Sequence, residues 1–362
     1  MRVKPGYILF IPFVFLFHFL YAGGSYPEVK GRKDSLKPQQ DTLSVVGVGD
    51  IMMGTNFPST KYLNSKGCQV FFKEVENYLS DADITTGNLE GCLSDSAELV
   101  KRCKDTTKCY AFRMPAQYGE CLKHNGFDFL SIANNHSHDF GIEGVKHTVE
   151  TLDSLGIQYA GTPDYPYAIR TKDSITYGFC AFSPNKGTLS ITDYDEAARI
   201  VKMLDDTSDV VIVSFHGGAE GNKHQRITRK TEYYYGEDRG NVHEFAHKVV
   251  DAGADLVFGH GPHVPRAIEL YKERLICYSL GNFLTYGRFN LKGPNGIAPL
   301  IKVHVSVKGA FINGEIIPLK QYYSGKLIVD PARRATKLIK ELTSKDFNES
   351  DLIINENGFI HK

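Results

Sequence analysis

The sequence has no excess of charge: 42 Lys and Arg stand against 42 Asp and Glu. A dedicated nucleic-acid binder usually carries a basic excess or stripe, so no nucleic-acid partner is expected. Internal repeats and low-complexity tracts are absent. The seven cysteines lack the paired Cys-x-x-Cys spacing of a cysteine-held structural zinc. An apolar run at the start, residues 7–21, is shorter than the roughly 20 residues of a bilayer span. No cysteine ends that run, which excludes the lipid-modified bacterial lipoprotein pattern.

What is present is the balance of a soluble globular chain: 42% apolar and 23% charged residues, and a length of 362 that suffices for one large or two modest domains. Arg2 and Lys4, the apolar run and then Ala22-Gly23-Gly24 form a secretory-signal pattern, with cleavage and retention as an anchor both open. The expected organisation is a signal peptide or signal-anchor at 1–24, a polar linker at 25–40, a main domain at 41–325, and a C-terminal helix and tail at 326–362. Cys68, Cys92, Cys103, Cys109 and Cys121 cluster, which in an exported chain permits one or two disulfides. Cys180 and Cys277 sit in apolar contexts and read as buried packing residues.

Short apolar runs alternate with helical patterns. Strands are expected at 43–48, 83–86, 129–133, 210–215, 256–258 and 276–280, and helices at 144–155 and 242–252. That alternation predicts an α/β fold with mostly parallel strands. Over 298–319 the period changes to two, and Asn313-Gly314 is a hairpin-turn signal. A helix is expected within 335–344.

The chemistry lies in the residues at the end of each strand. The first strand ends at Gly49-Asp50, the second at Asn88-Leu89-Glu90, the third at Asn134-Asn135-His136-Ser137-His138-Asp139. The next two deliver His216 and the run His260-Gly261-Pro262-His263. Singly, an Asp there is usually a cap or turn residue and a His after a strand is often a satisfied core residue. Five apolar strands each ending in Asp, Glu, Asn or His are harder to explain by packing. Sites in open α/β sheets form at the carboxyl ends of strands. Unpaired buried charge is costly, and a divalent cation would offset that cost.

The motifs Gly49-Asp50-Ile-Met-Met-Gly54, Asn88-Leu-Glu90, Ala133-Asn-Asn-His136-x-x-Asp139-x-Gly141, His216-x-Gly218-x-Glu220, Gly259-His-x-Pro-His263 and Tyr278-Ser-Leu-Gly-Asn-Phe283 resemble those of the CapA family. That family is tied to bacterial capsule and poly-γ-glutamate biosynthesis, and it is similar to the calcineurin-like metallophosphoesterases. The resemblance runs from about residue 43 to 319 and implies a four-layer α/β/β/α sandwich. It implies metal ligation by Asp50, Glu90, Asn135, His216, His260 and His263, with His136 as proton donor or oxyanion stabiliser and Asp139 orienting it. This mixed donor set suits one or two ions of Mn, Fe or Zn better than Mg or Ca. The sequence departs from the related enzymes at Met52, where they carry a metal-binding His, and at Gly217, where CapA proteins usually carry Trp.

Two functions are implied. One is a metal-dependent hydrolase or transferase acting outside the cytoplasmic membrane on an anionic cell-surface polymer or its precursor. The other is a non-catalytic component working with membrane polymer-synthesis proteins, with the basic stretch 223–230 (His224, Arg226, Arg229) as a further anionic-polymer contact. A third reading, a secreted phosphatase of 5′-nucleotidase type, comes from the similarity of Asn135-His136-Ser-His-Asp139-Phe-Gly141 to that signature.

Overall fold

The computed structural model describes residues 42–102 and 110–362. The signal or anchor segment, the linker, Cys103 and Cys109 lie outside the described residues. In chain order β1 (Thr42–Met52), α1 (Glu76–Ser80) and β2 (Ile84–Leu89) are followed by a two-stranded ribbon, β3 (Cys92–Leu93) with β4 (Arg113–Met114). Then come α2 (Tyr118–His124), β5 (Phe129–Ser131), α3 (Gly141–Leu155) and β6 (Gln158–Ala160). The middle of the chain contains β7 (Tyr167–Lys172), β8 (Ile175–Phe182), α4 (Tyr194–Asp205), β9 (Val210–His216), the ribbon β10 (Tyr233–Tyr234) with β11 (Glu237–Asp238), α5 (Val242–Asp251), β12 (Leu256–His260), β13 (Ile268–Tyr271) and β14 (Arg274–Cys277). The last part supplies β15 (Asn282–Thr285), β16 (Ile297–Ser306), β17 (Phe311–Gln321), β18 (Leu327–Val329), α6 (Arg334–Asp346), β19 (Ile353–Ile354) and β20 (Phe359–His361).

Two sheets result. The first has ten strands in the order β19-β20-β17-β16-β1-β2-β5-β6, with β15 beside β1 and β18 beside β17. The second has six, β13-β14-β12-β9-β8-β7. Their centres are parallel, and parallel strands covered on both faces read as continuous apolar runs, which is why these segments stand out in the sequence.

Successive residues of a strand face opposite sides, and this separates the layers. Val45 on β1 joins Ile84, Phe129, Phe179, Ile212 and Phe258 between the sheets, whereas Val46 packs outward with Leu122, Val149 and Leu152 of α2 and α3. On the far side Ile200, Leu204 and Val249 of α4 and α5 cover Val211, Val213 and Val257. The architecture is the expected four-layer α/β/β/α sandwich. Two helices start on side-chain caps: Asp193 accepts from the Glu196 amide and Asn241 from the Glu244 amide.

The hairpin expectation is corrected in one respect. Asn313-Gly314 does not turn the chain: both residues pair inside the β16–β17 ladder, opposite His304 and Val303. The turn falls at 307–310, closed by the Ala310 carbonyl accepting from Ser306 and the Ser306 carbonyl accepting from Gly309. This register lets Val303, Val305 and Phe311 all enter the inter-sheet core, a gain that outweighs local turn preference. Residues 326–362, read from sequence as a helix and tail, contribute α6 and three strands of the first sheet. Cys68 and Cys121 form a disulfide, and Cys92, Cys180 and Cys277 are buried thiols.

Residues 278–281 cross from the second sheet to the first, directly over the carboxyl ends of β1 and β12. The Asp50 amide donates to the Gly281 carbonyl at 2.8 Å, and the Leu280 amide to the Gly259 carbonyl at 3.0 Å. Two glycines make room. A Cβ at Gly49 would lie 1.9 Å from the Gly281 oxygen, and one at Gly259 2.3 Å from the Tyr278 oxygen. Both precede a site residue. A Gly49→Ala chain is therefore expected to lose at least about 2 kcal/mol in urea unfolding, since the clash is with backbone that cannot rotate away. An unchanged midpoint would show that the crossing segment is free to move.

Candidate metal centre

The ladders that build the sheets also place the side chains. Asp50 pairs with Asn88 on one side and Asn282 on the other, and His216 pairs with His260 across β9 and β12. The Asn88 amide donates to Asp50 Oδ1 at 2.9 Å, while Asp50 Oδ2 lies 3.0 Å from His263 Nδ1. That nitrogen is also 3.1 Å from Asn282 Oδ1. His263 Nε2 then faces Glu90 Oε1 at 3.6 Å and Glu220 Oε2 at 4.0 Å. His260 Nδ1 lies 3.7 Å from Asp50, and His216 Nε2 4.0 Å from Glu90. His263 itself adopts φ 58°, a left-handed conformation that costs an L-residue about 1–2 kcal/mol.

The centre is largely buried and under-satisfied. Asp50, Glu90 and His216 are fully buried, and His260 is 1% exposed. Both Glu90 oxygens, both His216 nitrogens, His260 Nδ1 and Asn135 Oδ1 have no hydrogen-bond partner among the described residues. Buried polar atoms are normally paired, and each orphan costs about 1–3 kcal/mol. Such a concentration of orphaned oxygens and imidazole nitrogens fits a divalent cation. Asp50, Glu90 and His263 each offer a donor atom within 4.8 Å of the others.

Electrostatics point the same way. Burial pushes the Glu90 carboxyl well above its ordinary range, against the pull of His263. Burial also holds His216 well below its usual value, with Arg239 adding to the effect, and lowers His260 to about 4. Burial opposes charge on His263 too, but Glu90, Asp50 and Glu220 outweigh it and raise the group to about 10. His263 thus faces three acidic groups that favour its protonated form.

His136 stands beside this cluster. Its Nδ1 lies 2.6 Å from Asp139 Oδ2, and Asp139 also accepts from the Phe112 amide at 3.1 Å and pairs with Lys101 at 2.7 Å. Phe112 covers the imidazole at 4.2 Å between ring centres. Burial lowers His136, with Asp139 opposing and Lys101 reinforcing. A cavity of about 500 Å³ opens above, lined by Asn135, His136, Glu220 and His263 together with Lys101, Arg239 and Arg288.

All eight side chains singled out in the sequence therefore line or adjoin one cleft. Met52, at the position of the missing histidine, is wholly buried in the outer core rather than facing the cleft. Asp50 is instead met by His263. Arg239 was not legible. It is 2% exposed, its Nη2 lies 2.9 Å from Glu220 Oε1, and its Nε is unpartnered. Nothing around Asp238-Arg239-Gly240 signals this, because the cleft is reached only through the ribbon β10–β11. Glu220, Asn88 and Asn282 belong to motifs of the family resemblance and gain their roles here. Within the basic stretch 223–230, Arg226 pairs with Asp346 and Arg229 with Glu349 at 2.5 Å, so these two arginines form a seam with the C-terminal segment.

The profile of the family described as "Bacterial capsule synthesis protein PGA_cap" matches residues 44–286. The chain is 26% identical to "Capsule biosynthesis protein CapA" of Bacillus anthracis over 87% of its own length and 76% of that protein. It is 30% identical to "PGA biosynthesis protein CapA" of Bacillus subtilis (strain 168) over 76% of its length and 70% of that protein. A "Probable polyglutamine synthesis accessory protein" of Mycobacterium tuberculosis is 28% identical over 55% of each chain. Weaker likenesses among solved structures include a hypothetical protein (TM-score 0.48, 15% identity, 77% of this chain and 100% of that one) and a 5′-nucleotidase precursor (TM-score 0.39, 11% identity, 81% and 55%), both from Thermus thermophilus.

Two outcomes are expected for metal binding. His216→Ala and Glu90→Gln each lower Mn or Zn affinity at least about 100-fold by chelator competition, whereas His136→Ala retains it. A ligand imidazole must be neutral, so loading displaces the His263 proton. Because that group sits at about 10, and burial raises Glu90 as well, affinity should rise at least about tenfold per pH unit between pH 7 and 9. A flat profile would show that His263 keeps its proton.

Proposed function

The chain belongs to the bacterial capsule synthesis protein family, and from that premise we propose that it is a metal-dependent hydrolase or transferase acting on an anionic cell-surface polymer of poly-γ-glutamate type, or on a precursor of it. The observation that carries this reading is the set of unpartnered donors on Glu90, Asn135, His216 and His260, placed at the floor of a cleft that also holds a His–Asp pair. A structural metal would be walled in, whereas this one would face about 500 Å³ of accessible space.

Asp50, Glu90, Asn135, His216, His260 and His263 would hold the ion, which would polarise the reacting carbonyl or phosphoryl group and acidify a water molecule. Mn, Fe and Zn suit the mixed oxygen and nitrogen donors. The remaining work belongs to the chain. Asp139 accepts from His136 Nδ1 and leaves Nε2 for the substrate, the arrangement that fixes tautomer and ring orientation. Burial and Lys101 keep this imidazole neutral at rest, so it can take a proton; an anionic substrate in the cleft would raise its pKa and let it return that proton to a leaving group. Arg239, braced by Glu220, and Lys101, braced by Asp139, offer charge to the carboxylates of such a polymer.

The start of the sequence supports placing this domain outside the cytoplasmic membrane, secreted or anchored. Among the described residues no helix is long and apolar enough to cross a membrane. A second reading, an accessory component that binds the polymer for membrane synthesis proteins without turning it over, is supported by the name of the mycobacterial relative.

The two separate on His136. Mn- or Zn-loaded protein should cleave or transfer poly-γ-glutamate or a phosphoester-linked precursor, and His136→Ala should slow this by about 10²–10⁴ without loss of metal. A loaded wild type that is inert on both substrate classes, together with a His136→Ala chain that supports full polymer output in cells, would favour the accessory reading.

A further inference from the structure

A second cluster of ligand-type side chains lies on the outer face of the second sheet, away from the cleft. Helix α5 carries His243-Glu244-Phe245-Ala246-His247, two histidines four residues apart and hence on one helix face. Their ring centres are 4.1 Å apart. From the edge strand β13, Glu269 reaches the same point, with both carboxylate oxygens 3.0 Å from His247 Nε2. One donor atom from each of His243, His247 and Glu269 lies within 4.8 Å of the other two.

We propose that His243, His247 and Glu269 form a zinc site that clips helix α5 to the edge strand β13.

Three features favour a metal over a plain His–carboxylate contact. The carboxylate is buried and oriented by a further hydrogen bond, Tyr278 Oη donating to Glu269 Oε2 at 2.6 Å, the support that ligating carboxylates generally need. Both imidazoles are held by flat stacking. His247 lies 3.7 Å from Tyr271 at 16°, and His243 sits parallel to Tyr278 and Phe347 within 11°. His243 has no hydrogen bond among the described residues, so its nitrogens are not committed elsewhere. A tetrahedral zinc with bonds of about 2.1 Å needs donors about 3.4 Å apart, which small side-chain rotations supply from the present separations. Two imidazoles and a carboxylate suit Zn²⁺, with water in the fourth position because both histidines are only half-buried.

His-Glu-x-x-His is also the spacing of zinc peptidases, where the Glu acts as base. Here Glu244 is spent on the helix start. Its amide donates to Asn241 Oδ1 at 3.2 Å and its carboxylate accepts from Asn241 Nδ2 at 3.0 Å. The site is therefore one that fastens and does not hydrolyse. Arg229, whose charge bears on His243, pairs with Glu349.

The test uses full-length protein with the cleft impaired by His216→Ala, and zinc alone as probe. This chain should bind one equivalent of Zn²⁺, and zinc should raise its Tm by a few degrees, since the site exists only in the folded state. Adding His243→Phe preserves the stack with Tyr278 and Phe347 but removes the donor nitrogens. It should abolish both the equivalent and the Tm increase while leaving the Tm in EDTA unchanged. Glu269→Gln should lower zinc affinity at least tenfold. An unchanged stoichiometry in the His216→Ala/His243→Phe chain, or no zinc bound by His216→Ala alone, would overturn the site. Neither result depends on whether the cleft is catalytic.

Discussion

Two carboxylates, Asp50 and Glu90, are buried within reach of the same imidazole, and much of the molecule is arranged around that unfavourable fact. Taking an ion out of water costs several kcal/mol even after relaxation, a large share of the roughly 5–15 kcal/mol that holds a domain together. His263 offsets part of the cost as an imidazolium, at the expense of a left-handed backbone conformation. The amides of Asn88 and Asn282 flank Asp50 without adding charge. Glu90 receives no side-chain hydrogen bond among the described residues. A cation bound there, as proposed, would stabilise this cluster and couple binding to folding.

The same constraint explains the crossing segment 278–281. It ties the carboxyl ends of two sheets together over the site, through one hydrogen bond to each. Side chains on β1 and β12 alone would meet only as well as two independently twisting sheets allow. With the crossing in place, the spacing between Asp50 and His260 is set by backbone. Gly49 and Gly259 are the residues that permit it.

Around this centre the cleft combines buried and accessible groups. The Glu90, His216 and His260 donors are buried, the His136–Asp139 pair is covered by Phe112, and the cations Lys101 and Arg239 line the cavity wall. On the opposite face, the stacked cluster of α5 and β13 obeys a different logic, holding elements together through planar packing and a buried carboxylate.

Much was legible in the order of residues because the carboxyl ends of parallel strands must converge. Gly-Asp, Asn-x-Glu, Asn-Asn-His and the isolated His216 each come after an apolar run, and alternation of strands with helices determined that those runs would pack side by side. The α/β class and the gathering of polar residues at strand ends were visible in that local reading, whereas the four layers and the full set of eight residues came from the family resemblance. Chain order could not convey anything that depends on two distant segments sharing space. The turn at 307–310 displaced Asn313-Gly314 because core contacts across sheets outweigh a dipeptide preference. Arg239 reaches the cleft from a ribbon with no periodic signal. His263 meets Asp50 only because the loop after β12 folds back toward β1. Glu269 meets the α5 histidines only because β13 folds back beside β14. Periodicity is a property of neighbours in sequence, whereas charge compensation depends on neighbours in space, and only the tertiary structure decides which groups those are.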